Sequence, residues 1–314
     1  MITMDDFPNP DNIYKYSMPP WFKNHYNDDQ KDIYRSFRDR MLDAYDAPED
    51  IEPLIIKIRG DAYPFIRRIF IDVMEDNPML FKWDVDISVV DRGIYEIVFT
   101  PIGKQEDLQE YETKIMKRII EVRDEYQITP AMSELDIIRC VNKWLLKKKY
   151  LKYEEPFCHR ALGIMLKGEG VCASFAAANH ILLNSFGVEC YTVSGRVNPR
   201  TKECVVMDWG GYIDSTGRNL GPFNTCKYSE NDRIQPDIVV RSNPSQRNVK
   251  NPNHAWNVVG VGGYLFQSDP TFNNGHGNDE YLIRTIKGLN DRISNKWNKF
   301  AEGREIPLSP YFRG

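Results

Sequence analysis

The sequence predicts an α+β fold on three observations. Apolar residues recur at helical spacing in several segments, as in Ile33, Phe37, Met41 and Tyr45. Elsewhere the pattern changes to that of strands, around Val85, Ile87 and Val89 and again from Val258 to Phe266, with glycines at the turns. The composition, 41% hydrophobic and 27% charged in 314 residues, is that of a globular protein and excludes a disordered chain. That length suits one large domain or two of roughly 150 residues each.

The elements follow in order. Residues 1–28 combine Pro8, Pro10, Pro19 and Pro20 with Phe7, Tyr14, Tyr16, Trp21 and Phe22. Prolines at that density block a helix, and the aromatics predict an extended arm docked on the surface. Helices are expected over 29–45 and over 62–75, the second with Asp61 as N-cap and Pro64 in its first turn. A hairpin over 83–101 turns at Asp91-Arg92-Gly93. A charged helix over 105–126 is ended by Thr129-Pro130, which sets a boundary near residue 130. Ser133, ahead of Glu134-Leu135-Asp136, opens a helix whose stripe of Ile137, Val141, Trp144, Leu145 and Leu151 carries it to about 151. Lys147, Lys148 and Lys149 close it as a solvated last turn, where cations suit the helix dipole. There is no internal repeat and no low-complexity segment.

Charge and cysteine usage exclude several classes. Lys plus Arg number 41 against 45 Asp plus Glu, a net charge of −4 with a pI near 5.8, so the basic surplus of a nucleic-acid binder is missing. No apolar run reaches the roughly 18–20 residues of a membrane span, and mean hydropathy is −0.52. MITMDDFPNP carries acids and prolines where a secretion signal needs basic residues before an apolar stretch, so a cytoplasmic location is expected. Cys140, Cys158, Cys172, Cys190, Cys204 and Cys226 form no C-x-x-C pair and are too sparse for a disulfide scaffold. No metal or other cofactor is expected.

One cysteine stands apart. Residues 168–187 read GEGVCASFAAANHILLNSFG, a glycine approach followed by a buried helix that Gly187 ends. Cys172 falls in its first turn. A thiolate there faces unpaired backbone N–H groups and the positive end of the helix dipole, which lower a thiol pKa below ~8.5. Gly168 and Gly170 would let a substrate carbonyl approach the backbone. Alone, this segment fits an inert buried cysteine better than a reactive one.

The second segment, PNHAWNVVGVGGYLFQSDPTFN over 252–273, reads as two strands joined by a glycine turn. A two-residue loop pairs Val261 with Tyr264 and sets His254 diagonal to Asp269; a four-residue loop pairs Val259 with Tyr264 and sets them opposite. Either register puts them on one face. An imidazole with a carboxylate beside it is the orienting pair that a thiolate requires. Trp256 shares the face of His254 and could wall a cleft or seat the hairpin; Trp209, beside Gly210-Gly211, is a second candidate for a cleft wall. Cys158 and His159 are neighbours in an extended segment and should point apart. His180, two turns after Cys172, reads as a core or surface histidine, and His276 as part of a loop.

GEGVCASF, HAWN and SDPTF, in that order, resemble the transglutaminase-like superfamily of cysteine enzymes. The resemblance covers about 131–285 and implies Cys172 as nucleophile, His254 as its base and Asp269, on the strand after it, as orienting acid. It also implies a papain-like core, with a helical layer on an antiparallel sheet, across 131–314. Residues 1–130 would form an N-terminal arm and an α/β region, mostly helical with a hairpin, similar to what precedes the core in many bacterial members. The stretch 196–252, rich in Asn, Asp, Gly, Ser and Pro, is long for a connection and is expected to be a lid or a substrate-selecting insertion. The implied activity is on amide bonds of a protein or peptide through a thioester, with hydrolysis slightly favoured over transfer to an amine. A non-catalytic binding module that kept the fold is the alternative. Neither nucleic acid nor membrane is an expected partner.

Overall fold

The structure, a computed structural model, describes residues 7–9, 34–35, 37–39, 54–59, 73–91, 94–101, 105–151, 157–197, 204–206, 237–238, 254–262, 264–277, 279 and 282. Trp209, Cys226 and most of 196–252 lie outside them, as do residues 10–33 of the expected arm and first helix.

The chain is a mixed helix-and-sheet protein. Its first sheet is built on the expected hairpin. Strands β2 (Trp83–Asp91) and β3 (Ile94–Pro101) pair antiparallel, with Val85 opposite Phe99 and Ile87 opposite Ile97. β1 (Leu54–Arg59) joins the other edge of β3, and β8 (Asp237–Ile238) adds to β1 in parallel. Helix α1 (Gln105–Tyr126) follows the hairpin.

The second half begins with α2 (Glu134–Leu145), capped as expected by Ser133, whose hydroxyl accepts from the Asp136 N–H. It ends well short of residue 151. Lys149 and Tyr150 form strand β4, parallel to β5 (Glu169–Gly170). The reason lies in the carbonyls at the helix end. Asn274 Nδ2 reaches those of Leu145, Leu146 and Lys148 at 3.1, 3.2 and 2.7 Å, so they need no further turn. The lysines are correspondingly engaged: Lys148 Nζ sits 3.7 Å from the centre of the Trp144 ring, and Lys147 pairs with Glu125 at 2.6 Å.

Helix α3 (Cys172–Ser185) is buried nearly all round, as its alanines and leucines require of a central helix. It packs against β9 (His254–Val261) and β6 (Cys190–Val197). These belong to a sheet of order β10-β9-β6-β7, completed by β10 (Tyr264–Ser268) and β7 (Cys204–Val206). α2 covers another side of α3, and a short helix α4 (Pro270–His276) touches both. One core draws on both sides of residue 130, with Met79, Ile115, Ile119 and Val122 joining Val141, Phe175 and Leu182. Phe7 enters it too: its ring lies 5.6 Å from that of Phe186, and its carbonyl accepts from Arg123 at 2.8 Å.

Candidate active site

Cys172 is the first residue of α3 and is half-buried. Its N-cap, Val171, brings no side-chain acceptor to the first turn, and the Val171 carbonyl takes the N–H groups of Ser174 and Phe175. The glycine approach behaves differently from expectation. Gly168 holds the left-handed φ of 77° that glycine allows, but the space beside Gly170 belongs to the protein itself. A Cβ there would meet Ser174 at 2.6 Å, and the Ser174 hydroxyl donates to the Arg160 carbonyl while accepting from the Ile164 N–H. Gly170 therefore lets the loop close on the helix and opens no room for a substrate at that point.

In the β9–β10 hairpin Tyr264 pairs with Val261, so the loop is the two-residue Gly262-Gly263 and His254 is diagonal to Asp269. Asp269 lies one residue beyond β10, where it is the N-cap of α4, not a strand residue. Its two oxygens divide their work. Oδ1 accepts from the N–H groups of Thr271 and Phe272 at 3.1 and 3.0 Å, and Oδ2 lies 2.6 Å from His254 Nε2. His276, expected in a loop, closes the same helix, because Asp269 and Pro270 start it and Gly277, at φ 67°, ends it.

The His254 ring stacks with two aromatic rings, Phe272 at 4.7 Å and Trp256 at 5.8 Å. Trp256 is fully buried, so it backs the imidazole from within the core. Burial pushes the His254 pKa down, but hydrogen bonds with Asp269 and with the Cys172 side chain outweigh it, and the charge of both helps to raise it to about 9. Cys172, His254 and Asp269, the first and last 97 residues apart in the sequence, thus meet in one cluster. Asn257 fastens this hairpin to the cysteine helix: its Nδ2 donates to the Ala176 carbonyl at 2.9 Å, and its Oδ1 accepts from Asn179 at 3.0 Å.

Tyr150 is the residue that sequence reasoning missed. Its ring stacks on Phe175, and its side chain lies near enough to Cys172 for the backbone there to oppose the rise in its pKa. Partial burial raises its pKa, as does negative charge at Cys172 and Asp269. Only the β4–β5 pairing brings it there, and no spacing to Cys172 in the sequence marks it. The other candidates lie apart. His180 is buried with Nδ1 3.0 Å from Thr192 Oγ1; Cys158 is buried and His159 exposed. Among the described residues, no group of three His, Cys, Asp or Glu side chains is placed to hold a metal ion, and no helix is long and apolar enough to cross a membrane.

The chain is an α+β protein in which a helix-start cysteine meets a histidine–carboxylate pair. No protein-family model and no curated protein matches it. Among solved structures it is similar to a candidate cysteine protease from Cytophaga hutchinsonii, at 9% identity and a TM-score of 0.30, over 76% of this chain and 68% of that one. It is also similar to a structure described as a TGase, at 11% identity and a TM-score of 0.29, over 79% of this chain and 58% of that one. Both likenesses are remote.

Proposed function

We propose that the protein is a transglutaminase-like cysteine enzyme acting on amide bonds of a protein or peptide. The observation that carries this reading is the 2.6 Å His254–Asp269 contact beside Cys172, with the imidazole raised to about 9. Below that pH the ring is an imidazolium, and the nucleophile beside it in this reading is the sulfur of Cys172 in its thiolate form. The Cys172 sulfur attacks the amide carbonyl, and the carbonyl electron pair moves onto oxygen. As the C–N bond breaks, the His254 imidazolium gives its proton to the departing nitrogen, leaving a thioester and a neutral imidazole. Water then attacks the thioester, the imidazole takes its proton, and the C–S bond breaks to release the acid and restore the thiolate.

The Cys172 N–H and the Tyr150 hydroxyl are the two donors for the oxyanion in this reading. The Cys172 backbone is near enough to act on the Tyr150 hydroxyl in the free protein. A substrate oxygen taking the place between them would receive a hydrogen bond from each, about 2.7–4 kcal/mol of transition-state stabilisation per donor in comparable sites. Asp269 orients the ring and stabilises its charge.

The test is to trap the acyl-enzyme with candidate glutamine and asparagine peptides and weigh it by mass spectrometry. A peptide adduct on Cys172, absent in Cys172→Ala, is expected, with the free acid as product. Release mainly as an amide of an added primary amine would instead make the enzyme a transferase. No adduct under any condition would remove the catalytic reading in favour of a binding module.

A further inference from the structure

A cavity of about 400 Å³ lies between α1 and the 157–167 segment that leads to Cys172. Its apolar part comes from Tyr111, Phe157, Leu162 and Leu166, with the two rings edge to face at 5.9 Å. Its charged part is mainly basic: Lys114, Lys117, Arg118 and Lys167 against Glu121, with Glu110 pairing with Lys114 at 2.6 Å. In a chain of net charge −4 this local surplus does not follow from composition.

Three of the cations have fixed contacts. Arg118 Nε donates to the Met165 carbonyl at 3.0 Å, and its other nitrogen pairs with Glu121 at 2.5 Å, so the guanidinium cannot swing away. Lys167 Nζ lies 5.2 Å from the centre of the Phe157 ring, and Lys114 Nζ 5.9 Å from that of Tyr111. Phe157 itself holds a φ of 70°, a conformation rare for a bulky residue, at the point where its ring lines the cavity. Aromatic walls beneath a rim of ammonium and guanidinium groups suit an apolar side chain flanked by carboxylates.

Position favours a polypeptide as the carrier of those groups. Lys167 is five residues before Cys172, and five extended residues span at most about 18 Å. A substrate chain with its reacting amide at Cys172 would need a segment of that order to enter the cavity. We propose that this cavity binds an acidic stretch of the polypeptide substrate, bearing an aromatic side chain, a few residues from the reacting amide. The proposal rests on the amide-directed reading above for its substrate, but not for its binding chemistry.

Binding is measured on the full chain with Cys172→Ala, so that turnover plays no part. The probes are two fluorescein-labelled peptides that share one reacting Gln, followed a few residues on by Asp-Glu-Phe-Asp-Glu in one and by the uncharged Ser-Ser-Phe-Ser-Ser in the other. Anisotropy should show the acidic peptide binding about tenfold or more tightly, with the preference falling steeply as salt rises. Lys114→Glu with Lys117→Glu should abolish that preference and improve binding of a Lys-Arg-Phe-Lys-Arg peptide; Lys114→Gln with Lys117→Gln should only weaken it. Equal binding of acidic and neutral peptides, or an unchanged preference in correctly folded charge-reversed protein, overturns the proposal. Acidic-peptide binding without any acyl-enzyme on wild-type protein would sink the catalytic reading and leave the cavity assignment standing. Acyl-enzyme formed equally from both peptides would do the reverse.

Discussion

His254 and His180 are nearly equally buried, 8% and 6% exposed, yet their charges are driven in opposite directions. Burial pushes the His180 pKa to about 3, and its Nδ1 neighbour is the neutral Thr192 hydroxyl. Burial acts on His254 in the same sense, but Asp269 and Cys172 reverse it to about 9. What a buried histidine can do is therefore set by the charge of its partners more than by its depth. The helix and strand that carry these two rings pack together, so the same sheet–helix sandwich holds two buried imidazoles in opposite charge environments.

The largest test of that contrast is deletion. Cys172→Ala and His254→Ala should each cut kcat/KM by about 10⁴-fold or more with the fold intact, whereas His180→Asn should leave it within a few-fold. Comparable losses at both histidines would erase the distinction. Asp269→Asn comes next, at roughly 10²–10⁴-fold, since it keeps shape while removing the charge that holds the imidazolium. It should also lower the His254 titration midpoint, read by NMR of the ring protons, from near 9. A midpoint that stays put would mean the stacked aromatic rings, not the carboxylate, control the imidazole.

Stability against pH sharpens the comparison further. His254 has its folded pKa raised above the ordinary ~6.5, so its contribution is full below that value and is lost as pH rises towards 9. His180 has its folded pKa depressed to about 3, so the unfolded chain binds the extra proton between ~6.5 and 3. Its contribution is full above ~6.5 and is lost as pH falls, at up to about 1.4 kcal/mol per pH unit. The two slopes have opposite sign. Urea unfolding across this range should show His180→Asn flattening the acid side alone and Asp269→Asn the alkaline side alone. The smallest effect is expected of Thr192→Val, about 1–3 kcal/mol of stability from an unpaired imidazole nitrogen, with kcat/KM unchanged.

The parts of the fold legible in the sequence were those with local causes. The Gly-Gly turn and alternating residues specified the β9–β10 hairpin down to one of two registers, and Ser133 gave the start of α2. The end of α2 was not legible, because Leu151 continues the helical stripe while the carbonyls that stop the helix are taken by Asn274, far along the chain. Asp269 shows a subtler failure. Asp-Pro-Thr is a helix start as much as a strand end, and the alternation leading into it hid the cap. Tyr150 could not have been found at all without the β4–β5 pairing, since a lysine-rich helix end was the simpler reading of its neighbours.

Helix α4 is only seven residues long, about 10 Å at the usual rise, but its two ends are pinned to different machinery. At its head Asp269 grips the His254 ring; near its tail Asn274 clasps the turn that presents Tyr150. It works as a gauge block that sets the spacing between the His254 ring and the strand that carries Tyr150.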